Sequence, residues 1–180
     1  MTMNRRKLII GGAAMLLAAQ VRPRLAIAAG PLPVEMKGTP RGEQVWFVPV
    51  GLAVTPGATI RFVNRDAGNS HTATAYHPDI LDRPRRIPDA ARPWDSDLLL
   101  PGEEFEVTLT APGVYDLYCQ PHEHAGMVAR IVVGRPDRDP RWQGPALDAG
   151  DLPKAALAGF PPVGVILERG AVMPPERGWT

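Results

Sequence analysis

Three residues within ten positions carry the chemistry most plainly. In the stretch Tyr118 to Met127, YCQPHEHAGM, a thiol (Cys119), an imidazole (His122) and a thioether (Met127) follow one another at intervals of three and five residues. A loop that leaves one strand at Cys119 and enters the next at Met127 can curl all three side chains round one ion. A fourth ligand must come from elsewhere, and His71 is well placed, because it follows the loop NRDAGNS at the end of another expected strand. Two imidazoles, a thiolate and a weak, long thioether bond make the trigonal set that suits copper in both oxidation states. Such a set leaves no position open for substrate, so one copper per chain cycling between Cu(I) and Cu(II) fits electron exchange better than catalysis at the metal.

Other uses of these residues fit less well. Zinc would take the cysteine and the histidines, but a methionine is a poor zinc ligand and one cysteine is few. A cysteine hydrolase would want its thiolate near a helix start with an orienting Asn or Asp, whereas Cys119 ends a strand three residues before a histidine. His122-Glu123-His124 is an H-x-H pair of the kind multinuclear copper oxidases use in numbers, yet the chain holds four histidines in all. A carrier that hands on the copper ion instead of an electron would use the same ligands and stays open as the alternative.

The elements that must position these groups read as an all-β sandwich. Strands are expected at Gln44–Val48, Ala58–Asn64, His71–Tyr76, Glu103–Thr110, Val114–Cys119 and Met127–Val133. In the clearest, Phe105, Val107 and Leu109 alternate with Glu104, Glu106 and Thr108, an apolar row for the core and a polar row for water. Pro56-Gly57, Pro101-Gly102 and Pro112-Gly113 supply chain reversals. Residues 76–100, rich in proline and charge, are expected to form a long surface excursion, with Arg83, Arg85 and Arg86 as solvated charges rather than a docking patch. The Pro-rich extension 135–180 is too irregular for a second core. Within it, Pro161-Pro162, then Val163, Ile166 and Leu167, then Gly170, fit a short helix that would pack on the sandwich, the alternative being a partly disordered tail.

The first 28 residues read as an export signal. Arg5, Arg6 and Lys7 precede the apolar run Leu8–Val21, which is short for a membrane span and ends near the small residues of Ala26-Ile27-Ala28. The paired arginines and the mild, Gly- and Ala-rich core have the twin-arginine layout, which implies a periplasmic or otherwise exported protein without a permanent membrane span. That segment holds five of the 20 Lys and Arg residues and none of the 19 Asp and Glu, so the remaining chain has a net charge of −4. No basic stripe is left for nucleic acid. In an oxidising compartment the single cysteine has no internal partner, so burial or metal ligation must protect it.

The pattern resembles the cupredoxin family of type 1 blue copper proteins, most closely its plastocyanin, pseudoazurin and amicyanin group. The likeness covers roughly residues 34–133. It rests on the Cys119, His122 and Met127 spacing, Pro121 and Gly126 beside them, the strand MVARIVV, and the upstream run VWFVPVGLAVTPGATIRFVNRDAGNSH. It implies a Greek-key β-sandwich over residues 29–134 and a non-enzymatic, monomeric electron carrier serving redox protein partners. It also implies metal ligation by His71, Cys119, His122 and Met127. Asn64 would tie the two ligand loops together, and the Thr72 backbone would donate a hydrogen bond to the sulfur. The chain departs from the family at His124, where a small residue is usual, and His77, six residues after His71, is a further histidine that could approach the metal.

Overall fold

Phe105, Val107 and Leu109 do face inward, with Glu104, Glu106 and Thr108 exposed, and this strand closes one edge of a two-sheet sandwich. The structure is a computed structural model that describes residues 30–138 and 152–175. The expected export signal, residues 1–28, lies outside the described residues, as does the middle of the extension. One sheet runs β2 (Val45–Val48), β1 (Leu32–Gly38), β4 (Ala58–Asn64), β6 (Glu104–Leu109). The other runs β5 (Thr74–Ala75), β7 (Gly113–Tyr118), β8 (Val128–Val133), β3 (Gly51–Val54), β9 (Ala171–Val172). β1 lies parallel to β4, and β3 parallel to β8, while β7 and β8 form the antiparallel pair from which the ligand loop springs. Val34, Met36, Phe47, Ile60, Phe62, Leu117 and Ile131 fill the space between the sheets.

β7 and β8 are buried along their whole length, because both of their faces are covered. Tyr115, Leu117, Cys119, Ala129, Ile131 and Val133 point into the sandwich. The alternate residues, Tyr118 and Val128 at one end and Val114 and Val132 at the other, meet the C-terminal extension. That extension supplies two short helices, α1 (Lys154–Gly159) and α2 (Val163–Arg169). α2 is the expected helix, with Pro162 before it and Gly170, at φ 76°, after it. α1 is six residues long, too short to leave a periodic signal.

Between the apolar ends of that outer face sits a buried ionic knot. The fully buried Asp116 of β7 accepts hydrogen bonds from Arg86 Nε at 2.8 Å, Arg130 Nε at 2.7 Å and Arg130 Nη2 at 2.9 Å. Arg130 also donates to the Pro161 carbonyl at 2.9 Å, and the Phe160 ring lies 5.0 Å from each guanidinium. One carboxylate thereby joins residues 76–100, both central strands and the extension.

Residues 76–100 run over the surface as expected, and Arg85 is exposed, but Arg83 and Arg86 are not the solvated charges that the composition suggests. Arg86, Ile87, Trp94 and Leu99 are buried, and Arg83 pairs with the buried Glu123 of the ligand loop. Their buried residues are separated by prolines and follow no period, which hides them from pattern reading. The segment also accounts for the short β5: His71 pairs with Leu99 and Thr74 with Asp95 in isolated bridges, so a regular ladder forms only at Thr74–Ala75. β1, β3 and β9 were not expected. β3 sits between two Pro-bearing turns and β9 spans two residues.

Candidate metal centre

The ligand loop is built by its own donors. Cys119 directly follows β7, and residues Gln120–Ala125 wind into a tight helical turn with Pro121 near its start and Gly126 closing it at φ 80°. His122 N–H donates to the Cys119 carbonyl at 3.1 Å, Met127 N–H to the His122 carbonyl at 3.2 Å, and Cys119 N–H to the Met127 carbonyl at 3.0 Å. The backbones of the three residues therefore close a ring, and none can shift without the others. α1 packs behind it, so a Cβ on Gly126 would stand 3.1 Å from the Ala155 carbonyl oxygen.

His71 reaches the same point from the other side. Its Nδ1 lies 3.5 Å from Cys119 Sγ, and His122 Nδ1 lies 3.4 Å from the same sulfur. Among the described residues these three form the cluster of metal-capable groups, with donor atoms all within 4.8 Å of one another. Donors held about 2.0–2.3 Å from a single ion stand roughly 3.4–3.9 Å apart, so the sulfur-to-nitrogen spacings fit one ion between them. One soft sulfur and two borderline nitrogens suit copper. Met127 is fully buried at the end of the loop, and its backbone closes the ring just described.

The protonation chemistry agrees with that fit. Burial, opposed by the Thr72 N–H, pushes the Cys119 thiol up to about 11, so without an ion the sulfur keeps its proton. Burial lowers both imidazoles, against the pull of Asp66 on His71 and with the help of His71 on His122. Neutral rings with free lone pairs are the ligating form.

Thr72 N–H donates to Cys119 Sγ at 3.3 Å, and Thr72 Oγ1 accepts from the Gln120 backbone at 2.9 Å. Thr72 thus fastens the two ligand segments together. Asn64 acts elsewhere: its amide donates to the carbonyls of Asn69 and Leu99, while its oxygen accepts from Asp66 N–H. It orders the loop before His71 and the segment that pairs with it. His77 is buried outside the donor cluster, with Nδ1 accepting from Asp79 N–H at 3.1 Å. His124 is exposed on the loop's outer side.

Two groups around the site escaped the sequence reading. Asp66 Oδ2 lies 3.0 Å from His71 Nε2, on the side of the ring away from the sulfur. The only hint was an Asp two residues before a glycine, the pattern of a turn closed by its own side chain, here with Asp66 Oδ1 accepting from Gly68 N–H. Glu123, read simply as the middle of an H-x-H pair, is buried and accepts from Tyr76 Oη at 2.8 Å and from Arg83. Nothing local in the sequence marks it as buried.

Comparison with known proteins places this geometry. Residues 34–134 match the family model described as copper binding proteins, plastocyanin/azurin family. A chloroplastic plastocyanin from Oryza sativa subsp. indica is 35% identical over 124 residues, covering 69% of this chain and 78% of its own. One from Chlamydomonas reinhardtii is 41% identical over 87 residues, which span 48% of this chain and 57% of its own. Among solved structures, a pseudoazurin from Sinorhizobium meliloti superposes with a TM-score of 0.51 at 29% identity, over 72% of this chain and 89% of its own.

Proposed function

The chain belongs to the plastocyanin/azurin family of copper-binding proteins, and from that premise we propose that it shuttles single electrons between redox proteins of an exported compartment, the periplasm. His71, Cys119, His122 and Met127 hold its copper in this reading. The observation that carries it is the convergence of two imidazole nitrogens on one buried thiol, 3.5 and 3.4 Å away. Copper bound there supplies a one-electron couple. It is a carrier and not an enzyme.

What the chain's own residues contribute is stiffness and access. The backbone ring through Cys119, His122 and Met127, the Thr72 bond to the sulfur and the packing of α1 leave the donors little room to move. Small rearrangement on gain or loss of an electron keeps exchange fast. His71 and Cys119 are fully buried, while His122 is partly exposed, so a partner protein reaches the site over the His122 ring. No described helix is long and apolar enough to cross a membrane; the carrier in this reading is a monomer that diffuses between partners. The twin-arginine layout of residues 1–28 would export it already folded.

The discriminating experiment reduces the copper-loaded protein with ascorbate in the presence of a Cu(I) chelator, reoxidises it and counts the metal. An electron carrier keeps one copper through the cycle. Loss of copper to the chelator on reduction would make the chain a carrier of the ion.

A further inference from the structure

We propose that Asp66 sets the reduction potential of this site by gripping the far nitrogen of His71. The inference rests on the copper reading above and concerns a residue that touches none of the donor atoms. It is a positioning residue, acting through the imidazole.

The carboxylate is built into place. Asp66 is 4% exposed. Its Oδ1 accepts from Gly68 N–H at 2.8 Å, its Oδ2 accepts from Asn69 Nδ2 at 2.8 Å, and its own N–H donates to Asn64 Oδ1 at 2.9 Å. Gly38, the last residue of β1, leaves the space it occupies, since a Cβ there would overlap Asp66 Oδ2. The groups around its two oxygens are donors, Gly68 N–H on Oδ1 and the Asn69 amide and the His71 ring on Oδ2, which is the setting of an ionised carboxylate. A carboxylate can only accept, so the 3.0 Å contact makes His71 Nε2 the protonated nitrogen and leaves the Nδ1 lone pair facing Cys119 Sγ.

Two consequences follow. The tautomer required for ligation is fixed before any ion arrives, and the ring cannot swing. A negative charge on the far side of a ligand also makes that ligand more basic and favours the more positive oxidation state of the ion it holds. Asp66 therefore draws the couple toward Cu(II), lowering its potential.

The test compares the copper-loaded wild type with D66N, G38A and D89N in a spectroscopic redox titration. D66N removes the charge but keeps the shape, G38A keeps the charge but displaces the carboxylate, and D89N removes a charge from an exposed site. At the wild-type midpoint, D66N is expected to raise the Cu(I):Cu(II) ratio at least tenfold, about 59 mV for a one-electron couple, with the visible thiolate band retained. G38A moves the ratio the same way, and D89N changes it less than twofold. In the metal-free protein, nitrogen-detected NMR of the rings should show His71 with its proton on Nε2, exchanging slowly in wild type and faster in D66N. A change below twofold in D66N, or an Nδ1-protonated His71 in metal-free wild type, overturns the proposal. A wild type that forms no reversible copper couple would instead defeat the copper reading, and the NMR arm would still decide whether Asp66 fixes the ring.

Discussion

Replacing Asp116 by asparagine tests the knot that joins the extension to the sandwich. The side chain keeps its size, but the one anion shared by Arg86 and Arg130 disappears, and an amide N–H₂ must face guanidinium donors now 2.6–2.9 Å from the Asp116 oxygens. All three residues are buried, with Asp116 at 0% exposure. Leaving buried charge uncompensated typically costs about 3–5 kcal/mol, a large part of the roughly 5–15 kcal/mol that holds a domain folded. With a urea dependence of about 2 kcal/mol per molar, the unfolding midpoint should fall by roughly 1.5–2.5 M. The assay is urea unfolding of the metal-free protein followed by circular dichroism, since bound metal would add its own stabilisation. A triple replacement, D116L with R86M and R130M, should recover most of the loss, because apolar residues of similar volume leave no charge stranded. A midpoint within about 0.5 M of wild type in D116N would show that the shared carboxylate does not hold the knot together. It would mean that groups other than the carboxylate, among them the Pro161 carbonyl beside Arg130, compensate the two guanidiniums.

Gly126→Ala should destabilise the metal-free protein by about 1–3 kcal/mol and weaken copper retention, because alanine is strained at φ 80° and its Cβ meets the Ala155 carbonyl at 3.1 Å; urea midpoint and resistance to a chelator measure the two effects. The three tyrosines, Tyr76, Tyr115 and Tyr118, should all ionise above the ordinary value of 10.0, each chiefly because it is buried, with Tyr118 pushed up to about 12. Since the folded state favours the neutral phenols, their contribution to stability is complete below pH 10 and is lost as pH rises through each folded value, which for Tyr118 is about 12. Absorbance at alkaline pH should therefore show phenolate forming late in the native protein and at the ordinary value in urea, and ionisation near pH 10 in both would contradict the burial.

The parts of this protein that could be read in advance are those governed by a short-range rule. β4, β6 and the ends of β7 and β8 follow from period-two alternation and Pro-Gly turns, and α2 from a proline start and a glycine stop. The spacing of Cys119, His122 and Met127 is local as well, and the fold brings His71 to the first two. What stayed hidden depends on residues far apart in the chain. Arg83 and Arg86 look like solvent residues among prolines, and only the partners Glu123 and Asp116, 40 and 30 residues away, show why the first is half-buried and the second buried. Asp66 likewise reads as a turn residue until His71 Nε2 is seen beside it. β3 was missed because its neighbours β8 and β9 lie about 80 and 120 residues further along the chain, on the scale of strand pairings that no local pattern encodes.

The central claim is that Cys119 and two imidazoles hold one copper. It is tested most directly by titrating the protein with Cu(II) while recording its visible spectrum, alongside a Cys119→Ser variant. Wild type should show an intense thiolate-to-copper absorption that saturates at one equivalent, bleaches with ascorbate, returns on reoxidation and is absent from the serine variant. A wild-type spectrum with only the weak absorption of copper bound to nitrogen and oxygen, or a serine variant that keeps the band, would contradict it.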